Sequence, residues 1–314
     1  MVVWIIFISI ILVFLALDLG VFNKVPHVIS TREASIWTGI WVSIGLLFSF
    51  VIFFIFKNNW VANPNHLAPW DASVTYVTGY LVELSLSLDN IFVISVIFSS
   101  FKIPLKFQHR VLFWGILGAL FFRALMIFFG VLLIQKISWI TYIFGAFLIF
   151  TALKMLFSKE EKEYDPQQSF VFKMVRKVFP ITSEIKDERF FVKKKYLRVA
   201  TPLFLVLIIV EFTDVLFALD SIPAILAITS DSFLVFTSNI LAIMGLRSMY
   251  FFLSNMTTKF HYLKYSLVAI LVFVGIKLIM THLFHFPEWV SLSFIILSLS
   301  IGVLASLKSK QDIS

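Results

Sequence analysis

Residues 82–95 read VELSLSLDNIFVIS, and residues 211–225 read EFTDVLFALDSIPAI. Each is an apolar run broken by groups that lipid does not solvate: Glu83, Asp89 and Asn90 in the first, Glu211, Asp214, Asp220 and Ser221 in the second. Laid over each other, Glu83-LSLSL-Asp89-Asn90-Ile91 matches Asp214-VLFAL-Asp220-Ser221-Ile222, an acid followed six residues later by Asp-polar-Ile. The correspondence continues downstream. GALFFRALMIFF (118–129) and AIMGLRSMYFF (242–252) carry one arginine each, Arg123 and Arg247. YIFGAFLIFTALKML (142–156) and YSLVAILVFVGIKLI (265–279) align Lys154 with Lys277. Acid pair, arginine and lysine therefore occur twice in the same order.

The rest of the chain sets these stretches in a membrane. Of its 314 residues 60% are hydrophobic and 14% charged, with a mean hydropathy of +0.97. Soluble domains carry about 25% charged residues, so this composition does not cover a water-facing surface. Nine apolar runs of near-spanning length fall at about 1–19, 36–56, 72–98, 109–134, 137–157, 199–226, 233–254, 262–282 and 288–307. The expected fold is an all-α polytopic membrane protein with about nine transmembrane helices. Residues 1–157 hold spans 1–5, 158–198 form a basic loop, and 199–314 hold spans 6–9. Spans 3–5 (72–157) then pair with spans 6–8 (199–282) as two repeats. Because each unit has an odd number of crossings, the copies enter the membrane from opposite sides. Inverted three-helix repeats are a transporter architecture whose site lies near the midplane, between the repeats.

Charge placement predicts the orientation. Twenty of the 26 Lys and Arg fall on the side opposite the N-terminus, eleven of them in 158–198. Basic loops stay cytoplasmic, so the N-terminus is expected outside and the C-terminus in the cytoplasm. The net charge of +8 is thus a matter of topology, and no nucleic-acid partner is expected, because the basic residues flank spans instead of forming one compact patch. Span 1 lacks a basic leader and a small-residue cleavage site, and reads as a retained helix. Within the loop, SFVFKMVRKVF (169–179) alternates apolar and basic positions before Pro180; it reads equally as an interfacial helix on anionic lipid or as a plain connection. Trp4, Trp37, Trp60, Trp70, Trp139 and Trp289 lie near span ends as interfacial anchors. The chain has no cysteine, which removes disulfides, thiolate metal sites and cysteine nucleophiles.

An isolated charge at the bilayer centre costs on the order of 2.5–3.5 kcal/mol, so the intramembrane acids must pair, bind an ion or line water. Glu83 and Asp214 are expected at mid-depth, with Asp89 and Asp220 towards opposite sides. Six residues separate the acids of one helix by roughly 9 Å and about 120°, so one straight helix does not present both to a single ion. Arg123 and Arg247 are each expected to neutralise an acid, with Lys154 and Lys277 as further charge partners. The five acids outnumber the two central arginines, which favours a cation. Carboxylates, the Asn90 amide and the Ser221 hydroxyl are hard oxygen donors suited to Mg²⁺, Ca²⁺ or Mn²⁺. Pro223, lacking an N–H, frees the carbonyl of Leu219 as one more donor; helix 3 has Phe92 at the equivalent position. His282 and His285 at the outer end read as an interfacial cap more readily than as ligands. An intramembrane aspartyl protease is disfavoured, because no acid sits in a Gly-x-Gly-Asp element; no enzymatic activity is expected.

Four stretches carry a resemblance: LALDLGVFNK with STREA (15–34), 82–124, 189–229 and FTSNILAIMGLRSMYFFL (236–253). They closely resemble the TerC family of integral membrane proteins, named for tellurium resistance, over about 15–308. The resemblance implies a bacterial inner-membrane transporter, similar to members linked to manganese efflux and to metallation of exported enzymes. It implies Glu83, Asp89, Asp214 and Asp220 as ion-binding acids, with Asn90 and Ser221 assisting. The expected substrate is a divalent cation, Mn²⁺ first, with no permanently bound cofactor. The expected partners are membrane lipids and, further, exported metalloenzymes or the secretion machinery. The alternative is a non-transporting assembly or stress factor.

Overall fold

The computed structural model describes residues 2–17, 30–137, 139–157, 170–182, 189–194, 197–254, 262–280, 284 and 287–308. In chain order the elements are α1 (Val2–Leu17), α2 (Thr31–Lys57), α3 (Pro69–Ser100), α4 (Leu105–Lys136), α5 (Ile140–Phe157), α6 (Phe170–Val178), β1 (Phe191–Lys194), β2 (Leu197–Ala200), α7 (Pro202–Leu226), α8 (Ser232–Met244), α9 (Leu246–Ser254), α10 (Leu263–Met280) and α11 (Glu288–Lys308). The starts obey local chemistry. Ser30 accepts from the Glu33 N–H to cap α2, and Asp231 accepts from the N–H groups of Phe233 and Leu234 to cap α8. Proline opens α3 and α7, where its missing N–H has no partner to lose.

Among the described residues six helices, α2, α3, α4, α5, α7 and α11, are long and apolar enough to cross a membrane. A seventh span results if α8 and α9, bent by 43° at Gly245, are taken as one. This is a polytopic helical membrane protein, with fewer clear spans than the nine apolar runs. The first run yields a 16-residue helix, and the expected span over 233–254 is the bent pair. α3 and α4 have 32 residues each, about 48 Å of helix against a hydrocarbon core of about 30 Å. They must tilt or project beyond it.

The polarity is arranged from the inside out. α2 presents Leu47, Phe50 and Phe54 outward, and α4 presents Phe121, Leu125, Phe128 and Phe129. Glu83, Ser87, Asn90, Arg123, Asp214 and Asn239 are buried. Such a surface suits lipid, where an apolar exterior carries no penalty. α3 packs on α8 and α4 on α7, contacts that an exchange of the two proposed repeats would interchange; α3 also packs on α7, and α5 on α10. α5 and α10 cross where Gly145 and Gly275 bring their backbones together. A Cβ on Gly145 would lie 2.7 Å from the Gly275 carbonyl oxygen, and one on Gly275 would lie 2.9 Å from that of Gly145.

Among the described residues the only strands lie at the end of the basic loop. β1 and β2 pair antiparallel, with Phe191 opposite Ala200. α6 occupies most of the amphipathic 169–179 stretch. Its Val175 is buried and its Phe172 ring lies 5.8 Å from Phe101, while Lys173 and Lys177 are exposed. Its apolar side therefore rests on the bundle.

Because backbone atoms crowd both glycines at the α5–α10 crossing, G145A is expected to lower stability by about 1–3 kcal/mol through overpacking. G39A, placed where nothing lies within 4 Å, should leave the melting temperature in detergent unchanged or raise it. Equal melting temperatures for G145A and wild type would show that the crossing is not close.

Candidate functional site

Four helices converge on one buried polar cluster. Glu83, Ser87 and Asn90 follow i, i+4, i+7 spacing on α3, so a single stripe of that helix carries all three inward. α4 contributes Arg123, α7 Asp214 and α8 Asn239. The Arg123 guanidinium lies between the two acids. Its Nη1 donates to Glu83 Oε1, while Nε and Nη2 donate to Asp214 Oδ2 and Oδ1 at 3.2 and 3.0 Å. This is the fork geometry that suits Arg and not Lys. Asn239 Nδ2 donates to Glu83 Oε2 at 2.8 Å, Ser87 donates to Glu83 Oε1 at 3.3 Å, and Asn90 Nδ2 donates to Asp214 Oδ1 at 2.8 Å. Arg123 is 1% exposed, Glu83 0% and Asn90 1%.

The cluster sets two carboxyl groups against one guanidinium, a formal surplus of one acid. Each carboxylate has an amide of its own as a further donor. The amide on Asp214 leaves its carbonyl end unused: Asn90 Oδ1 is buried and has no hydrogen-bond partner. Beside it lies a cavity of about 20 Å³ lined by Asn90, Asp214, Gly115 and apolar side chains of α4, α7, α8 and α9.

The remaining singled-out residues lie elsewhere. Asp220 faces α5, where Thr151 Oγ1 donates to its Oδ1 at 3.1 Å, and it shares a crevice of about 270 Å³ with Thr151, Lys154 and Met155. Ser221 is buried and its Oγ has no partner. Leu219 sits on the outward face of α7, which runs unbroken through Pro223. Glu211, one turn before Asp214, fits its carboxylate into the notch left by Gly118 on α4, and its Oε2 lacks a partner. Asp89 belongs to α3, but its side chain lies outside the described residues, as do His282 and His285.

Arg123 serves Glu83 and Asp214 together, and Arg247 lies on α9, past the 43° bend between α8 and α9. Lys277 donates to Ser291 Oγ of α11 at 3.1 Å, away from the central acids. Among the described residues no three His, Asp or Glu side chains gather as a metal site.

The family model for integral membrane proteins of the TerC family covers residues 68–313. The chain belongs to the TerC family. It is 46% identical to the uncharacterized membrane protein STKORF319 of Myxococcus xanthus, across 97% of this chain and 91% of that one. An uncharacterized membrane protein of Rickettsia bellii is 43% identical across 98% and 97% of the two chains. The putative membrane-bound redox modulator Alx of Salmonella typhi is 44% identical across 88% and 85%. No solved structure matches.

In this TerC-family chain Asn239, Ser87, Thr151 and the notch glycine Gly118 escaped the reading of the sequence. Asn239 alone left a trace there, as an amide inside the apolar run FLVFTSNILAIM. If Arg123 is the electrostatic pin of the bundle, R123Q strands two buried carboxylates. Removing one partner of such a pair costs about 3–5 kcal/mol, so R123Q should melt well below wild type in detergent. The charge-conserving partner change E83Q/R123Q is expected to recover part of that loss. A double variant no more stable than R123Q would contradict the pairing.

Proposed function

We propose that this protein exports a hard divalent cation, Mn²⁺ first, across the bacterial inner membrane. The observation that carries this reading is the cluster itself. Glu83 and Asp214, equivalent positions of the two repeats, meet between them at the depth where apolar helices make charge most costly, and one acid there is in formal surplus. A scaffold gains nothing from a surplus carboxylate there, whereas a cation carrier requires one. The donors are carboxylate and amide oxygens, suited to hard ions. In this reading nine helices cross the membrane, the N-terminus lies outside and the C-terminus in the cytoplasm. Spans 3–5 and 6–8 are inverted repeats that rock against each other about the fixed site.

Each residue then has a role. Glu83 and Asp214 hold the central charge, Asn90 and Asn239 orient them, and Arg123 offsets one of the two acids when no ion is bound. Asp220, with Thr151 and Lys154, forms a second station in the α5–α7 crevice, and Asp89 is its counterpart on α3. Ser221, Glu211 and the Leu219 carbonyl are assisting donors. Protonation of the same acids would couple cation exit to proton entry. The ion is cargo, not a resident cofactor, and no enzymatic step is proposed. Membrane lipids are the standing partner; exported metalloenzymes are the downstream users of a metal released outside.

A second reading comes from the same geometry, because a guanidinium bridging two acids is also a structural lock. In that case the chain is a non-transporting assembly or stress factor. The redox role that the name of the Salmonella relative carries would need a centre other than a thiol in this chain, which has no cysteine.

Inside-out vesicles carrying the protein separate the readings. Mn²⁺ is expected to accumulate in preference to Mg²⁺, Ca²⁺ and Zn²⁺, and uptake should fall to the protein-free level in D89N, D214N and D220N variants that still insert. A rise in uptake under an imposed proton gradient would identify antiport. Wild-type protein that accumulates none of the four would sink the transport reading and leave the lock.

A further inference from the structure

Two stretches of the chain, 170–182 and 189–200, hold eight Lys and Arg and no Asp or Glu. Among these charges stand rings that water does not favour: Phe179 is 38% exposed and Phe191 42%. Their place is set by α7. Phe204, Ile208, Phe212, Leu216 and Leu219 follow one stripe of that helix, and Phe212, Leu216 and Leu219 are exposed. This stripe is the lipid-facing side of the span. Phe204 begins it as the third residue of a 25-residue helix, about 37 Å long against a hydrocarbon core of about 30 Å. It therefore stands where hydrocarbon gives way to headgroups. The Phe191 ring lies 4.5 Å from that of Phe204, and the Phe179 ring 5.4 Å from it. The three rings form an aromatic corner at the lipid edge.

The strand pair brings charge to the same corner. Residues two apart on a strand, and residues directly opposite across a pair, share a face. Phe191 pairs with Ala200 and Lys193 with Arg198, so Phe191, Lys193 and Arg198 lie on one face. Because Phe191 meets Phe204, that face is turned to the lipid edge of α7. Lys193 and Arg198 are both exposed, and neither forms an ion pair among the described residues. Like charges directly opposite each other destabilise a strand pair; an anion between them removes the repulsion. We propose that this corner seats one anionic phospholipid, its phosphate between Lys193 and Arg198 and its acyl chains along Phe179, Phe191 and Phe204. A zwitterionic headgroup fits less well, because the two stretches offer no acid to its cationic end. This end of α7 carries the basic flank expected in the cytoplasm, where the facing leaflet is anionic. The seat is remote from the central acids and stands whether or not they carry an ion.

The test uses full-length protein in detergent, with bound lipid counted by native mass spectrometry during titration with phosphatidylglycerol or phosphatidylethanolamine. Wild type is expected to prefer phosphatidylglycerol by about tenfold or more, the scale on which basic residues act at an anionic membrane surface. K193Q/R198Q should lose that preference, yet melt no lower than wild type without lipid, since it removes a repulsion. F191A should weaken both lipids alike. K57Q/K136Q removes two exposed lysines at the opposite ends of the spans, and should keep the preference. Excess inorganic phosphate should leave the lipid bound. Equal preference in wild type and K193Q/R198Q would overturn the seat, as would its loss in K57Q/K136Q, which would trace it to overall charge. Displacement by inorganic phosphate would also overturn it, in favour of a site for free anions.

Discussion

A guanidinium buried between two carboxylates at the centre of a lipid-facing bundle is the constraint on which the rest of the structure depends. Arg123 joins α4 to α3 through Glu83 and to α7 through Asp214, and Asn239 ties α8 to the same group. None of these charges is tolerable alone at this depth, where each would cost on the order of 2.5–3.5 kcal/mol. The four helices are therefore held by mutual need and not by apolar burial, which drives little association in a solvent as apolar as leucine. The same interaction concentrates negative charge where the two halves of the chain meet.

Around this pin the halves diverge. α8 and α9 meet at Gly245 with a bend of 43°, whereas α4 runs unbroken through Arg123. Arg123 answers two acids, Glu83 and Asp214. Pro223 stands inside α7 with no counterpart in α3. Asp220 sits outside the cluster because six residues carry it along and around the helix onto the face shared with Thr151 and Lys154.

Much of this was legible from residues alone, for a physical reason. Glu83, Asn90, Arg123 and Asp214 stand out because charged and amide groups are conspicuous in apolar runs, and lipid leaves them only the interior. Their separation from Asp220 followed from helical geometry. The bridging of Glu83 and Asp214 by one arginine was not legible, since it depends on how α3, α4 and α7 pack together and not on the pattern of any one helix. Asn239 was missed because no acid stands beside it, as Asp89 stands beside Asn90; between Ser238 and Ile240 it reads as ordinary helix packing. The β1–β2 pair escaped because its strands are four residues each and carry basic residues, Lys193 and Lys194 in β1 and Arg198 in β2. Among the described residues six helices are clear spans, or seven with the bent α8–α9 pair, against nine apolar runs in the sequence, because composition does not show where a helix bends.

The central claim is that the buried acids form a cation site and not only a lock. The most direct measurement is anomalous scattering from crystals of the protein grown with Mn²⁺. The account predicts a peak inside the cluster, on the carboxylates of Glu83 and Asp214, with the Arg123 bridge between them opened. An unaltered Glu83–Arg123–Asp214 bridge at saturating Mn²⁺, with no peak within the bundle, would contradict it.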